Sequence, residues 1–231
     1  MKIATSMART LVGAGIITAV LFVLATMVAT ALGATPKEPG AAVPAPAPTP
    51  AAVVRDTRSN LQDAFQNEVN AKARYETAAR IAAQENYPAV ARLFRALAQS
   101  EQIHAEQDVH AIAWLGNEAK AYMEKSALGG TADNLRSAID RETYEATELY
   151  PALLARAHSE HQPAAVRSLT FALASERDHA QRLTQALAQL DERPAPQPIY
   201  VCGLCGMPLD SIDGGNCPNC FTPSHRFTRV D

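Results

Sequence analysis

Glu176-Arg177-Asp178-His179 decides the fold, together with the matching stretch Glu101-Gln102-Ile103-His104. In each stretch a carboxylate and an imidazole are three residues apart, so an α-helix points both side chains the same way. A single Glu-x-x-His motif is a weak signal, because on most helices it is a solvated ion pair or a cap. Two copies at matching positions of an internal repeat predict a shared metal site.

The repeat extends well beyond these two motifs. Thr57-x-x-Asn60-Leu61-x-x-Ala64-x-x-x-Glu68 matches Thr131-x-x-Asn134-Leu135-x-x-Ala138-x-x-x-Glu142, 74 residues later. Glu101 and His104 match Glu176 and His179 at an offset of 75, so one extra residue is expected, near Pro88 and Pro163 where a turn would absorb it. Two copies of a helix pair predict an all-α four-helix bundle.

Each predicted helix carries an apolar stripe that an acid interrupts near mid-helix. The interrupting residues are Glu68, Glu101, Glu142, Glu145 and Glu176. Each buried carboxylate would cost several kcal/mol if it were unpaired, and no Lys or Arg lies on these stripes. We therefore expect bound cations, and mixed carboxylate and imidazole ligands suit iron or manganese. The general di-iron pattern takes one Glu from each of two helices and a Glu-x-x-His from each of the other two.

Cys202-Gly-Leu-Cys205 and Cys217-Pro-Asn-Cys220 form a second motif near the C-terminus, separated by eleven residues. Two such knuckles close a tetrahedron of thiolates about one metal ion, and we call this the tetrathiolate site. A segment this short cannot bury enough apolar surface to fold alone, so the metal must stabilise it. The spacing accepts either iron or zinc.

The two motif sets together resemble the rubrerythrin family, which combines a ferritin-like di-iron bundle with a C-terminal rubredoxin-like domain. The resemblance implies two bundle irons and one iron in the tetrathiolate site, where zinc is the alternative. It assigns the bundle irons to Glu68, Glu101, His104, Glu142, Glu145, Glu176 and His179, which would also be the catalytic residues. It further implies that one iron exchanges His104 for Glu145 as its redox state changes.

As a function, the resemblance implies a non-haem di-iron peroxidase that reduces hydrogen peroxide to water. Electrons would come from a donor protein, in a chain of the NADH and rubredoxin type, and pass through the tetrathiolate iron. The resemblance also implies a homodimer in which the rubredoxin-like domain of one subunit serves the bundle of the other. Two alternatives stay open: a ferroxidase or iron-handling protein that uses oxygen, and a non-catalytic protein with a structural zinc in the tetrathiolate site.

Three positions depart from the family pattern. Asn67 and Arg141 stand where the family commonly has Gly before the ligands of the first and third helices. Phe221 follows the last cysteine, where Gly is usual. The first two departures concern access to the metals rather than metal binding.

The N-terminus carries Lys2 and Arg9 and then an uncharged apolar run over residues 11–32. We expect residues 1–34 to be a signal peptide or a retained membrane anchor, because the run is also long enough to span a bilayer. The chain is then exported, periplasmic or otherwise extracytoplasmic, and in the second case tethered to the inner membrane. The formal charge of −3 gives no basic footprint for nucleic acid.

Composition completes the division of the chain. Residues 35–56 form a Pro/Ala-rich linker, and residues 57–193 form the bundle. A second proline-rich linker covers residues 194–199, and the rubredoxin-like domain covers residues 200–231.

Overall fold

Five α-helices form the bundle in the computed structural model, which describes residues 55–231. They are α1 (Thr57–Gln84), α2 (Pro88–Trp114), α3 (Thr131–Tyr144), α4 (Tyr150–Ser159) and α5 (Pro163–Ala188). A π-helical segment, Glu145–Leu149, joins α3 to α4, so the two form one long arm. α1 pairs with α2, the α3–α4 arm pairs with α5, and α2 also contacts α5. The predicted four-helix bundle is confirmed.

The π-helical segment holds the extra residue of the second repeat. Glu68 and Tyr75 are seven residues apart, whereas their counterparts Glu142 and Tyr150 are eight apart. The insertion therefore lies between Glu142 and Tyr150, and the expectation that a turn near Pro88 and Pro163 absorbs it was wrong. A π-bulge takes up one residue without ending the helix. Pro151 lies in the first turn of α4, where the missing N–H of a proline is tolerated.

The two repeats cap each other's first helices. The backbone N–H of Thr57, at the start of α1, donates to Glu160 Oε2 at 2.9 Å. In the matching position, the backbone N–H of Thr131 donates to Glu85 Oε2 at 2.8 Å. Each carboxylate comes from the end of the first arm of the other repeat, so these caps satisfy orphan donors and also fix the repeats against each other.

Two apolar clusters occupy the bundle, and every helical arm passes from one to the other. The first includes Tyr75, Phe94, Leu97, Leu135 and Leu183. The second includes Leu61, Ile112, Leu149, Tyr150, Leu153 and Leu169. On α1, the α3–α4 arm and α5, the acids of the predicted site fall between the residues of the two clusters, so the polar layer is enclosed by apolar packing at both ends.

The C-terminal module contains a three-stranded antiparallel sheet in the order β2-β1-β3. The strands are β1 (Ile199–Cys202), β2 (Pro208–Leu209) and β3 (Phe227–Val230). Ile199 and Val201 of β1 are buried within the first apolar cluster of the bundle. The module therefore packs on α2 and α5 of its own chain rather than standing apart from the bundle.

Within residues 55–231, the helices lack the combination of length and apolar character that crossing a bilayer requires. The predicted signal or anchor and nearly all of the first linker lie outside the described residues.

Candidate metal centres

Six of the seven predicted bundle ligands meet in two overlapping clusters. One consists of Glu68, Glu101, His104 and Glu176, and the other of Glu101, Glu142, Glu176 and His179. Within each cluster the ligand atoms lie within 4.8 Å of one another. All six side chains are at most 3% exposed. Because Glu101 and Glu176 belong to both clusters, the arrangement fits two ions that share two carboxylates.

The Glu-x-x-His spacing aims each imidazole Nδ1 into this layer. His104 Nδ1 lies 3.0 Å from Glu101 Oε2, and His179 Nδ1 lies 2.8 Å from Glu176 Oε2. Each Nδ1 also faces the carboxylate of the other motif: His104 Nδ1 is 3.0 Å from Glu176 Oε1, and His179 Nδ1 is 3.4 Å from Glu101 Oε1. The Nδ1 atoms are therefore the ligand atoms, while both Nε2 atoms point away from the carboxylates.

The donor set fits divalent cations. Glu101 Oε1 and Glu176 Oε1 are buried without a hydrogen-bond partner, since their close approach to the imidazoles lacks hydrogen-bond geometry. Within the described part of the chain, the clustered carboxylates form ion pairs with the two histidines and with no Lys or Arg. Four buried carboxylates with two imidazoles exceed what these pairs can neutralise, and two divalent ions would supply the missing charge.

The pKa shifts of the ligand side chains reflect the same excess of negative charge. Burial and the neighbouring Glu101 carboxylate raise the pKa of both Glu68 and Glu176 well above the usual range. Burial disfavours the charged form of His179, yet the Glu176 and Glu101 carboxylates outweigh it and raise its pKa well above the usual value. A metal-free site must therefore take up protons in place of cations.

Two buried tyrosines connect the repeats at the site. The Tyr75 hydroxyl donates to Glu142, and the Tyr150 hydroxyl donates to Glu68. The two contacts are equivalent in the repeat, and the π-helical segment brings Tyr150 into register. Burial and the facing carboxylates raise the pKa of both hydroxyl groups, so both stay protonated donors.

Glu145, the seventh predicted ligand, is buried but lies outside both clusters. Burial and the Glu142 and Glu101 carboxylates raise its pKa to about 8, while the charges of Arg141 and Arg74 act in the opposite direction. The two arginines therefore do not neutralise Glu145, since its pKa stays raised. Its exchange with His104 stays a prediction.

The four cysteines form a separate cluster whose Sγ atoms also lie within 4.8 Å of one another. Cys202 Sγ is 3.5 Å from Cys220 Sγ, and Cys205 Sγ is 3.5 Å from Cys217 Sγ, and all four are free thiols. The hydrogen bond from the Cys205 thiol outweighs burial and lowers the pKa of Cys202 to about 4. A lowered pKa favours the thiolate form, which is the form that binds a metal.

The structure shows the cost of Phe221, which stands where the family usually has Gly. Its φ is 60°, in the left-handed region, and its side chain is 75% exposed. A glycine takes this conformation without steric cost, whereas a bulky residue does not. The side chain gains little burial in exchange, so Phe221 strains the second knuckle.

Comparison with known proteins decides the family. The family model described as Rubrerythrin matches residues 59–187. Nigerythrin of Nitratidesulfovibrio vulgaris is 33% identical over 177 residues, which cover 76% of this chain and 87% of nigerythrin. The chain belongs to the rubrerythrin family. Another relative, Rubrerythrin-2 of Clostridium acetobutylicum, is 28% identical over 180 residues, covering 74% of this chain and 95% of the relative.

Solved structures agree with this assignment. A structure of mixed-valence nigerythrin superimposes with a TM-score of 0.71 at 32% identity, covering 77% of this chain and 88% of nigerythrin. Nigerythrin has also been solved in a fully reduced, all-ferrous state. Rhodobacter capsulatus bacterioferritin, at 17% identity and a TM-score of 0.54, shares the fold. Rubrerythrins have a di-iron carboxylate site and a rubredoxin-like iron site with four cysteine ligands, and the carboxylate layer and the cysteine cluster correspond to them.

Sequence reasoning missed four buried polar residues around the rubrerythrin site. Ser100 and Ser175 are fully buried, and each directly precedes a Glu-x-x-His motif. Asp108 is 2% exposed and accepts a hydrogen bond from Ser168 at 2.6 Å. The serines that precede the motifs could have been found, because they occupy equivalent positions in the repeat. Asp108 has no such signal, since its counterpart Leu183 is apolar.

Proposed function

We propose that this chain is a non-haem di-iron peroxidase that reduces hydrogen peroxide to water. The observation that carries the proposal is the buried layer in which two clusters share Glu101 and Glu176, with the cysteine module directly beside it. The ferrous forms of the two irons would supply the two electrons that cleave the O–O bond. The redox states in which nigerythrin has been solved support redox chemistry at such a site.

The protein's own residues hold and shield this chemistry. The six clustered ligands are almost completely buried, so bulk water is kept from the reacting layer. The hydroxyl groups of Tyr75 and Tyr150 each donate to a carboxylate and fix its orientation. Glu101 and Glu176, which belong to both clusters, would hold both irons in the same buried layer.

Electrons would reach the bundle through the tetrathiolate iron. The carbonyl oxygen of Cys205 lies 3.2 Å from His104 Nε2, so one hydrogen bond separates a cysteine ligand residue from a bundle ligand residue. This contact is made within one chain. The homodimer, with the module of one subunit serving the other, stays a prediction, as does the identity of the donor protein.

Export is part of the proposal. The basic residues Lys2 and Arg9 before the apolar run at 11–32 support a signal peptide or an inner-membrane tether. The enzyme would then act in the periplasm or another extracytoplasmic space. Fractionation of cells that express the full chain, with mass measurement of its N-terminus, distinguishes a cleaved chain from a retained anchor.

Rapid mixing tests the activity. Full-length, iron-loaded protein is reduced without oxygen and mixed separately with hydrogen peroxide and with oxygen, while absorbance follows the di-iron and tetrathiolate sites. A peroxidase is reoxidised much faster by peroxide than by an equal concentration of oxygen. Faster reoxidation by oxygen, with release of ferric iron, would instead support the ferroxidase. A colourless protein with zinc in the tetrathiolate site would exclude the proposed electron relay.

A further inference from the structure

The first cysteine knuckle contacts the outward nitrogen of His104 directly and that of His179 through Ser100. His104 Nε2 contacts the Cys205 carbonyl oxygen at 3.2 Å, and the same oxygen accepts from Ser175 Oγ at 3.0 Å. His179 Nε2 contacts Ser100 Oγ at 2.9 Å, and Ser100 Oγ donates to the Gly206 carbonyl oxygen at 2.7 Å. Because Nδ1 of each imidazole faces the metal layer, Nε2 carries the proton and donates in both chains of hydrogen bonds.

The two serines occupy equivalent positions in the repeat. Each lies four residues before a ligand histidine, which on a helix is the neighbouring place on the same face. Both side chains are 0% exposed. The repeat thus supplies two hydroxyl groups beside the two histidines, and both donate to carbonyl groups of the same knuckle.

Gly206 shows how closely the knuckle approaches the bundle. Its φ is +77°, and an added Cβ would lie 2.6 Å from His104 Nε2 and 2.8 Å from Ser100 Oγ. A residue with a Cβ would not fit at this position without displacing the knuckle. The contact is therefore backbone against ligand side chains, with no room for looser packing.

We propose that Ser100 and Ser175 are positioning residues for electron transfer. Their hydroxyl groups hold the Cys205 and Gly206 carbonyl groups against the histidines and so fix the separation between the tetrathiolate site and the di-iron site. The inference rests on the proposed relay. It assigns to these two serines the role of fixing the distance between the two metal sites. It assigns to them no contact with peroxide.

The test uses the full-length protein with Ser100→Ala, Ser175→Ala and both changes together. The matched control is Ser168→Ala, which removes another buried serine hydroxyl from α5 that bonds Asp108 and not the module. Reduced, iron-loaded protein is mixed with peroxide, and oxidation of the di-iron site and of the tetrathiolate iron are followed as separate phases. In the double variant we expect the rate of the second phase, relative to that of the first, to fall by about tenfold, since misplacing a reacting pair by ~1 Å costs up to about 100-fold.

Hydrogen exchange supplies a readout that does not depend on activity. In the zinc-substituted full chain, each lost hydroxyl leaves a buried carbonyl less satisfied and should speed amide exchange of residues 201–207 by about tenfold, ~1.4 kcal/mol. Gly206→Ala perturbs the same contact from the module side and should reproduce both effects if the serine variants fail to load iron.

Serine variants that match wild type and Ser168→Ala in both the second phase and the exchange would overturn the inference. A wild-type protein that does not react with peroxide would instead overturn the proposed function, and the exchange measurement would still decide whether the serines hold the module.

Discussion

Asp108 allows a quantitative test of how the bundle treats a buried acid outside the metal layer. It lies on α2, is 2% exposed and accepts a hydrogen bond from Ser168 at 2.6 Å. Burial raises its pKa from an ordinary 3.8 to about 7, although the Ser168 hydrogen bond and the charge of His104 act in the opposite direction. The folded protein therefore holds a proton that the unfolded chain has already released.

The sign and size of the effect follow from this difference. Between pH 4 and pH 7 the folded state binds one more proton than the unfolded state, so stability falls as pH rises. A shift of about three pH units corresponds to ~4 kcal/mol at about 1.36 kcal/mol per unit. Asp108→Asn keeps the shape and accepts from Ser168 but has no proton to lose. We therefore expect the variant to be up to ~4 kcal/mol more stable than wild type at pH 8 and no more stable at pH 4.

Urea unfolding of both proteins in the same metal state, at half-unit steps from pH 4 to pH 8, measures this difference. Taking the difference between variant and wild type cancels the pH dependence of metal binding that the two share. A difference in unfolding free energy that stays constant across the range, or that favours wild type at pH 8, would refute the reasoning.

Three further changes test other parts of the account. Tyr150→Phe removes the hydrogen-bond donor to buried Glu68 and should lower the free energy of unfolding, measured in urea, by about 1–3 kcal/mol. The control is Tyr122→Phe, which changes an exposed side chain, and an equal loss in the two variants would contradict this prediction. Phe221→Gly relieves a left-handed φ and should stabilise the cysteine module by ~1 kcal/mol, seen as a higher temperature for loss of its visible band. Cys217→Ser should remove one metal ion per chain and unfold the module, whereas retention of that metal would contradict a four-thiolate site.

The metal layer could be predicted from the sequence because it depends on local spacing. A carboxylate and an imidazole three residues apart share a helix face wherever the helix lies, and an acid in an apolar stripe has to be buried. Duplication of Glu101 and His104 as Glu176 and His179 then specified four helices around one site. The cysteine knuckles are equally local, since each pair closes within a single turn.

Features that depend on contacts between distant segments could not be predicted. The position of the inserted residue follows from the tertiary register of Tyr150 with Glu68, and the offset of the motifs alone allowed other places for it. Arg74 of α1 approaches Glu145 only once the arms have packed. The docking of the Cys205 carbonyl on His104 joins segments 101 residues apart. No periodicity in the chain encodes such a contact.

Anaerobic titration of metal-free protein with Fe²⁺, with the unfolding temperature followed at each addition, tests whether the buried carboxylate layer binds two metal ions. Beyond the ion taken by the cysteines, we predict two further Fe²⁺ per chain. At free iron about 1,000 times the dissociation constant each of the two ions should stabilise the fold by ~4 kcal/mol, so that together they raise the midpoint by about 16–32 °C. Glu101→Gln, which alters a carboxylate that belongs to both clusters, should abolish most of this rise. A bundle that binds no iron, or whose unfolding temperature does not change when iron is added, would contradict the proposed di-iron site.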